Sequence, residues 1–231
     1  MSDNGGTAAP LLAARDLAKA HGRTRALTGA SADLHSGEIL AVTGPSGSGK
    51  STLLHCLAGI VRPDTGTVTY SGQRLDGLPE KRLSRLRRTE FGVVFQFGQL
   101  IPELTAVDNI ALPLLLAGAS RTEARAAAGE WLERFGVRGQ AELRPGGLSG
   151  GQAQRVALAR ALVTSPKVVF ADEPTGALDS LASEQVMTAL VTAARESGTA
   201  VLLITHDAQV AAYADRELRL TDGTVAAEAT V

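Results

Sequence analysis

Short apolar runs recur along the chain, and each is followed by polar residues. The clearest three are rich in Val, Ile and Leu and span residues 38–44, 167–173 and 200–206. Runs of this kind, without polar alternation, are typical of parallel strands that are buried on both faces. Helical stretches lie around them, including residues 51–58, which stop at Gly59, and 152–164, which stop before Pro166. This alternation of strands and helices predicts an α/β fold with a doubly wound parallel sheet.

Stretches with stricter alternation predict further strands beside this core. Residues 66–70 form one such stretch, and residues 217–220 form another that turns at Asp222-Gly223 into residues 224–226. An Asp-Gly pair between two alternating runs is a strong hairpin signal. We therefore expect a small antiparallel β subdomain that flanks the core.

The 52 residues between Gln96 and Ser149 have a different character, because they are rich in Leu and Ala and show helical periodicity. Residues 120–123 read Ser-Arg-Thr-Glu, which is a capping box that opens a helix running towards Phe135. This segment predicts an inserted helical subdomain.

Domain organisation follows from these patterns together with length. We expect a flexible leader at residues 1–10 and one domain over 11–231, with its core at 11–96 and 165–231 and the helical subdomain at about 97–164. No internal repeat is visible in the sequence, which indicates one such domain per chain. A composition of 44% hydrophobic and 20% charged residues suits a globular helix-and-sheet protein.

Charge and cysteine content exclude several functions. The formal net charge is −1, so no global field favours nucleic acid, and we expect no nucleic-acid partner. Cys56 is the only cysteine, which rules out a disulfide within the chain, fits a reducing compartment and suggests a small buried apolar residue on a helix. The longest apolar run, 110–119, contains Pro113 and falls short of the ~20 residues of a spanning helix. We expect any work at a membrane to be done from outside the bilayer.

A glycine-rich loop follows the first predicted buried strand. It reads Gly44-Pro45-Ser46-Gly47-Ser48-Gly49-Lys50-Ser51, which matches GxxxxGK[ST] between a strand and a helix. In such a loop the main-chain N–H groups converge on phosphate oxygens, a lysine neutralises the β- and γ-phosphates, and the last hydroxyl holds Mg²⁺. We assign those roles to Lys50 and Ser51 and include Thr52 in the same site. The alternative is a glycine-rich turn with a solvated lysine.

Two carboxylates follow the second predicted strand. Asp172 is carried to the same end of the sheet as the phosphate loop, where it can hold Mg²⁺ through water. Glu173 leaves the strand in a different direction and can face the attacking water. As general base it would contribute about 10²–10⁴-fold to hydrolysis. An isolated Asp-Glu pair is usually a solvated turn, so both roles depend on the phosphate loop.

Residues 148–152 read Leu-Ser-Gly-Gly-Gln and form a second capping box, with Ser149 as N-cap and Gln152 three residues later. Two glycines in a first helical turn cost ~1 kcal/mol each relative to alanine. Because Gly150 and Gly151 lack side chains, they leave the positive end of the helix open to a closely approaching anion.

These motifs, in this order, resemble the ABC ATPases, whose hallmark is the LSGGQ segment together with a phosphate loop and a DEP strand. The likeness covers residues from about 11 to 226 and implies a P-loop NTPase (RecA-like) core. By this resemblance Gln96 contacts Mg²⁺ and senses the transporter. The segment from Ser149 to Gln152 contacts the γ-phosphate of ATP held by a second protomer. Asp179 crosses the dimer interface, and His206 bridges to the γ-phosphate. Taken alone, Gln96 reads as a surface amide and His206 as a neighbour of a helix cap.

The chain departs from the family pattern at the adenine position. The family usually has an aromatic residue before the first core strand, and aligning residues 19–22 puts His21 there. An imidazole can stack on a base, but over less area than a phenol. The alternative is an exposed histidine, and selectivity for adenine over guanine stays open.

The resemblance implies an ATP-hydrolysing subunit that dimerises, with itself or a closely related subunit, around two ATP with Mg²⁺. It would drive a separate membrane permease from the cytoplasm, as a peripheral protein on the inner face of the membrane. Residues 97–118 and 172–179 resemble ATPases of lipoprotein-release, macrolide- and peptide-export and cell-division systems, which suggests an exporter or a mechanotransmission complex. The groove near residues 96–104 would receive the permease's coupling helix, although its apolar residues could be ordinary core. The basic stretch 81–88 is expected to be a solvated helix face, with lipid head groups as an alternative contact.

Two other classes fit less well. Soluble ABC proteins of DNA repair carry a long coiled coil where this chain has 52 residues, and those of translation usually carry two cassettes. An unrelated P-loop kinase or GTPase would leave Ser149–Gln152 and His206 without a role. The cargo is not specified by this sequence, because selectivity would lie in the permease.

Overall fold

The computed structural model describes residues 9–96 and 98–225, so most of the predicted leader (1–10) lies outside the described residues. In chain order the strands are β1 (Leu12–His21), β2 (Thr24–Leu34), β3 (Ile39–Thr43), β4 (Thr65–Tyr70), β5 (Gln73–Arg74), β6 (Phe91–Val94), β7 (Val168–Asp172), β8 (Ala200–Ile204), β9 (Arg216–Thr221) and β10 (Thr224–Val225). The α-helices are α1 (Lys50–Leu57), α2 (Glu80–Thr89), α3 (Ala106–Ala117), α4 (Arg121–Arg134), α5 (Gly150–Leu162), α6 (Ser180–Ser197) and α7 (Ala208–Ala211).

The core is a six-stranded sheet in the order β10-β9-β3-β8-β7-β6. Strands β9, β3, β8, β7 and β6 run parallel, and β10 returns antiparallel to β9. The three predicted buried strands are confirmed as β3, β8 and β7, which lie next to one another at the centre of the sheet. Because the carboxyl ends of parallel strands meet at one edge, the loops after them share one face of the molecule.

Burial on both sides explains the continuous apolar runs. Successive residues of each central strand enter opposite hydrophobic clusters: Val169 and Ala171 pack towards α3–α6, whereas Val168 and Phe170 pack towards α1 and the second sheet. A strand covered on both faces needs apolar residues at every position. The α/β fold predicted from these runs is confirmed.

The second sheet is four-stranded and antiparallel, in the order β2-β1-β4-β5. It confirms the predicted antiparallel β subdomain, but its two longest strands, β1 and β2, were not predicted. The predicted hairpin exists as β9 and β10, with residue 226 outside the described residues. However, β9 does not flank the core, because it pairs in parallel with β3 inside the main sheet. Only Leu218 and Leu220 of β9 are buried, so this strand is covered on one face and alternates in polarity.

Helices α3, α4 and α5 pack together between β6 and α6, as the periodicity of this region predicted. The capping box at Ser120 and Glu123 is confirmed, and α4 ends at Arg134, close to the expected end. The basic stretch is confirmed as α2, where Leu83 is the buried residue and the arginines face outward or lie half-buried. Within residues 9–96 and 98–225, no helix combines the length and apolar character that crossing a bilayer requires.

Candidate nucleotide-binding site

The glycine-rich loop lies between the end of β3 and the start of α1, where the motif requires it. Gly44, Gly47 and Gly49 have φ angles of 142°, 79° and 104°, which L side chains rarely adopt. A Cβ at Gly44 would lie 2.0 Å from the Leu220 carbonyl oxygen, and one at Gly49 would lie 2.1 Å from the Ala26 carbonyl oxygen. Glycine is therefore required at 44 and 49 by space as well as by conformation.

The turn between β9 and β10 is hydrogen-bonded to this loop, a contact that no sequence motif predicts. The Gly223 N–H donates to the Ser48 carbonyl at 3.0 Å, and the Thr28 N–H donates to the Gly223 carbonyl at 2.9 Å. The turn thus ties the loop to β2 of the antiparallel sheet. The loop backbone is therefore linked through Gly223 to both sheets.

The polar groups of the loop suit a phosphate ligand. The Lys50 ammonium donates to the carbonyls of Gly44 and Pro45 at 2.8 and 2.9 Å, so it curls over the loop. The Ser48 hydroxyl is buried and has no hydrogen-bond partner among the described residues. The N-terminus of α1, which begins at Lys50, adds its partial positive charge. A cation, main-chain donors and a helix end therefore converge at one place.

A cavity of about 750 Å³ opens over the loop, within the range of small-molecule sites. It brings together most of the predicted site residues. Its lining is Thr24, Ala26, Pro45, Ser46, Gly47, Gly49, Lys50, Ser51, Thr52, Gln96, Glu173 and His206. Residues from β2, the phosphate loop and the ends of β6, β7 and β8 thus meet at one mouth, at the carboxyl edge of the sheet.

The oxygen atoms at this edge fit Mg²⁺. The Ser51 hydroxyl donates to Oδ1 of Asp172 at 3.1 Å, which places a hydroxyl and a carboxylate side by side. Gln96 lines the same cavity. Mg²⁺ prefers oxygen ligands and usually combines one or two carboxylates with substrate phosphates and water. Within the described residues no group of three or more His, Cys, Asp or Glu could hold a metal.

Glu173 and His206 form a hydrogen-bonded pair beside that position. His206 Nδ1 lies 2.8 Å from Oε1 of Glu173, and the Glu173 side chain is only 16% exposed. Glu173 has a φ of 47°, an uncommon conformation for a residue with a side chain. Its N–H donates to the Ile204 carbonyl at 3.0 Å, which holds it in place. Strained backbone of this kind often occurs where a side chain must be aimed.

His21 lies beside the phosphate loop and is not among the described residues that line the cavity. It ends β1, is exposed, and places Nε2 3.4 Å from the Thr52 hydroxyl oxygen. Thr24 and Ala26 line the cavity nearby. The imidazole is therefore close to the loop and exposed to solvent.

The Ser149 segment lies apart from this cavity. Its capping box is confirmed: the Ser149 hydroxyl accepts from the Gln152 N–H at 3.3 Å, and the Gln152 side chain accepts from the Ser149 N–H at 2.9 Å. Ser149 and Gly150 are exposed, so the end of α5 is open to solvent. Among the described residues that line the cavity, none comes from 149–152.

The glycines of this segment also have a packing reason that the sequence did not reveal. A Cβ at Gly150 would lie 3.3 Å from a Leu178 methyl carbon, and one at Gly151 would lie 3.1 Å from the Ala182 Cβ. Asp179 lies between those two neighbours and caps α6, accepting from the Ala182 N–H at 2.8 Å. The segments around Ser149 and Asp179 are thus packed against each other, away from the phosphate loop of the same chain.

The sequence and the fold of this chain are both similar to those of known proteins. A family model described as ABC transporter matches residues 27–176. The lipoprotein-releasing system ATP-binding protein LolD of Bordetella pertussis is 47% identical over 218 residues, which cover 93% of this chain and 94% of that protein. LolD of Geobacter metallireducens is 43% identical over 222 residues, which cover 94% and 99%. A solved dimer of the ATP-binding cassette MJ0796, in a post-hydrolysis state with ADP and Pi, is similar with a TM-score of 0.88 and 37% identity, covering 95% of this chain and 98% of that one.

Proposed function

We propose a function from the premise that the chain belongs to the ABC transporter family, as one of its ATP-hydrolysing subunits. Two copies close around two ATP to drive a separate permease. The two LolD relatives are ATP-binding proteins of lipoprotein-releasing systems. The proposed permease is therefore of that type, and the complex works as an exporter or by mechanotransmission. The proposed location is the inner face of the membrane, through that permease. The proposed division of the chain is a core at 11–96 and 165–231 with a helical subdomain at about 97–164.

One observation carries the dimer proposal. The cavity is walled by the phosphate loop, Gln96, Glu173 and His206, whereas the exposed end of α5 at Ser149 lies outside it. An open helix N-terminus with glycines at its first positions suits an anion, but the phosphate loop of the same chain is elsewhere. A second copy can present its Ser149 helix to the γ-phosphate held on Lys50 and thereby complete the site. Each dimer then holds two such composite sites.

The proposed mechanism gives each group a role during hydrolysis. Glu173, oriented by His206, accepts a proton from the attacking water as the water oxygen bonds to the γ-phosphorus and the bond to the bridging oxygen of ADP breaks. Lys50 and the loop N–H groups stabilise the charge that develops on the phosphate oxygens. Ser51, Asp172 and Gln96 would hold Mg²⁺, which supplies further charge stabilisation. His21 would stack on the base.

The groove expected near residues 96–104 is not the one that suits the permease best, so the proposed contact is moved to a groove of about 350 Å³ between α2, β6 and α3. None of the described residues that line this groove comes from 96–104. Its apolar wall includes Val93, Leu112 and Leu116, and Leu116 is 61% exposed. Arg87 and Arg88 of α2 form its basic side. An apolar groove with a basic rim suits an amphipathic helix that carries acidic residues.

The decisive test of the dimer proposal is Glu173→Gln. This change removes the base but keeps size and hydrogen bonding, so the variant is expected to bind ATP, fail to hydrolyse it and accumulate closed dimers. Size-exclusion chromatography with light scattering, with and without ATP, measures this. Lys50→Ala is the matched control, because it is expected to lose ATP binding and stay monomeric. Hydrolysis at the wild-type rate by Glu173→Gln would show that another group is the base.

The permease contact is tested separately by co-purification from detergent-solubilised membranes. The wild-type chain is expected to retain a permease, and Leu116→Asp is expected to lose it, because a carboxylate in the groove is desolvated and repelled by an acidic partner. Leu143→Asp is the control, since Leu143 is 43% exposed and does not line this groove. Equal retention by both variants would place the contact elsewhere.

A further inference from the structure

The chain on both sides of Gln96 is bonded to helix α5. Before Gln96, the Phe95 carbonyl accepts from the Gly98 N–H at 2.9 Å and from the Gln154 side-chain amide at 3.4 Å. Gln154 is 3% exposed, so its amide is committed to this contact inside the protein. Gly98, with a φ of 66°, lies against α5 so closely that a Cβ there would be 3.3 Å from both Gln154 Oε1 and the Ala157 Cβ.

After Gln96, the contact is made by Arg160. Its guanidinium donates to the Gly98 carbonyl at 2.7 Å and to the Gln99 carbonyl at 3.0 Å. Gln99 has a φ of 44°, so these two carbonyls are presented by a turn in an uncommon conformation. A planar guanidinium can bind two successive carbonyls at once, whereas a lysine ammonium is a single point donor. Arg160 therefore fixes the shape of the turn as well as its distance from α5.

The buried environment of Arg160 indicates that its main role is to bind these two carbonyls. Burial lowers the pKa of Arg160, and no carboxylate among the described residues opposes this shift. A desolvated cation needs hydrogen-bond partners, and here the main-chain oxygens of Gly98 and Gln99 provide them. Arg160 also lines the groove beside α2 and α3, while Gln96 lines the nucleotide cavity. The turn thus lies between the groove and the catalytic site.

We propose that Arg160 is a positioning residue for the hydrolytic reaction, which holds the turn at residues 98–99 against α5 so that Gln96 is presented to the nucleotide cavity. Gln154 holds the preceding carbonyl in the same way. The inference rests on the proposed role of Gln96 in holding Mg²⁺ at the catalytic site. It predicts that Arg160 affects turnover through Gln96, without contacting the nucleotide itself.

The test is a double-mutant cycle on the purified full-length chain, with kcat and KM for ATP measured across Mg²⁺ concentrations. Arg160→Met is expected to lower kcat about 10- to 100-fold, the loss that a displacement of about 1 Å in a catalytic group can cause, with little change in KM. The Mg²⁺ concentration for half-maximal rate is expected to rise. Arg160→Lys keeps the charge but not the paired hydrogen bonds, so its kcat is expected to lie between that of Arg160→Met and that of the wild type.

The cycle distinguishes positioning from stability alone. If Arg160 acts through Gln96, then Arg160→Met combined with Gln96→Ala is expected to be no slower than Gln96→Ala by itself. Multiplicative losses in the double variant, or an unchanged kcat in a folded Arg160→Met, would overturn the proposal. So would an unchanged kcat in Gln96→Ala.

A control variant and the wild-type assay distinguish a failure of this inference from a failure of the proposed ATPase function. Arg195→Met is matched, because Arg195 also donates to a main-chain carbonyl, that of Gly37 at 3.2 Å, at the opposite edge of the sheet. It is expected to lower the unfolding temperature without changing the Mg²⁺ concentration for half-maximal rate. A similar rise of that concentration in Arg195→Met would overturn a specific role for Arg160. The proposed ATPase function fails only if the wild-type chain does not turn over, which the same assay shows directly.

Discussion

His206 Nδ1 lies 2.8 Å from Glu173 Oε1, which joins the end of β8 to the end of β7 at the mouth of the nucleotide cavity. His206 is 66% exposed, whereas the Glu173 side chain is 16% exposed. The histidine therefore covers the carboxylate from the solvent side and fixes its orientation.

His206→Ala is expected to lower kcat by about 10²-fold with little change in ATP affinity, because the general base loses the group that aims it. Steady-state kinetics and ATP titration measure the two quantities. His35→Ala is the control, since His35 precedes β3 at the opposite edge of the sheet and is expected to leave kcat unchanged. A parallel loss of ATP binding in His206→Ala would assign the histidine to binding instead.

Ser149→Arg is expected to abolish turnover while ATP binding to the single chain is retained, because bulk and charge obstruct the helix end that meets the partner's nucleotide. Ser120→Arg is a close structural control. Ser120 caps α4 through the same capping-box geometry, so both variants lose a cap worth about 1 kcal/mol. Only Ser149→Arg should lose ATPase activity. Equal losses of activity in both variants would indicate a folding defect.

The central sheet was predictable because β3, β7 and β8 are apolar at every position, which is a local property of the sequence. Strands β1 and β2 were missed for an equally physical reason. The β1 sequence LAARDLAKAH is rich in Ala, Leu, Lys and Arg, which favour helix, and only pairing with β2 and β4 makes it a strand.

Part of the candidate site was also predictable from the sequence, and part was not. The phosphate loop, Asp172 and Glu173 were predictable, because a fixed spacing after a strand places them at one edge of the sheet. The hydrogen bond from Gly223 to the phosphate loop, the strained φ of Glu173 and the hold of Arg160 on the turn after Gln96 depend on contacts between distant segments. No spacing along the chain encodes them, so only the structure reveals them.

Gly49→Ala tests the packing of the phosphate loop. The new Cβ would lie 2.1 Å from the Ala26 carbonyl oxygen, so the loop must shift and nucleotide binding is expected to be lost. Gly72→Ala is the control, because Gly72 also has a positive φ, 76°, but nothing lies within 4 Å of the added Cβ. It is expected to cost about 1 kcal/mol of stability and leave ATP binding intact. Isothermal titration with ATP and thermal unfolding compare the two, and normal binding by Gly49→Ala would contradict the observed packing.

Cys56 is expected to resist thiol reagents in the folded chain. Burial raises the pKa of Cys56 to about 11, and the side chain is 1% exposed. At pH 8 the thiolate fraction is thus about 100-fold lower than for a free thiol, before the steric barrier is counted. The same shift makes stability fall as pH rises from the ordinary thiol pKa towards 11, because only the unfolded chain then releases the proton. Mass spectrometry after iodoacetamide treatment at pH 8, with and without denaturant, checks this, and rapid labelling of folded protein would contradict it.

The most direct measurement of the composite site mixes two inactive variants, Lys50→Ala and Ser149→Arg, and follows ATP hydrolysis as a function of mixing ratio. In a mixed dimer both defects fall on one site, and the other site keeps an intact phosphate loop from one copy and an intact Ser149 helix from its partner. We predict turnover that neither variant shows alone, rising with the fraction of mixed dimers counted by native mass spectrometry. Mixed dimers that form in the expected proportion but hydrolyse no ATP at any ratio would contradict a site shared between two chains.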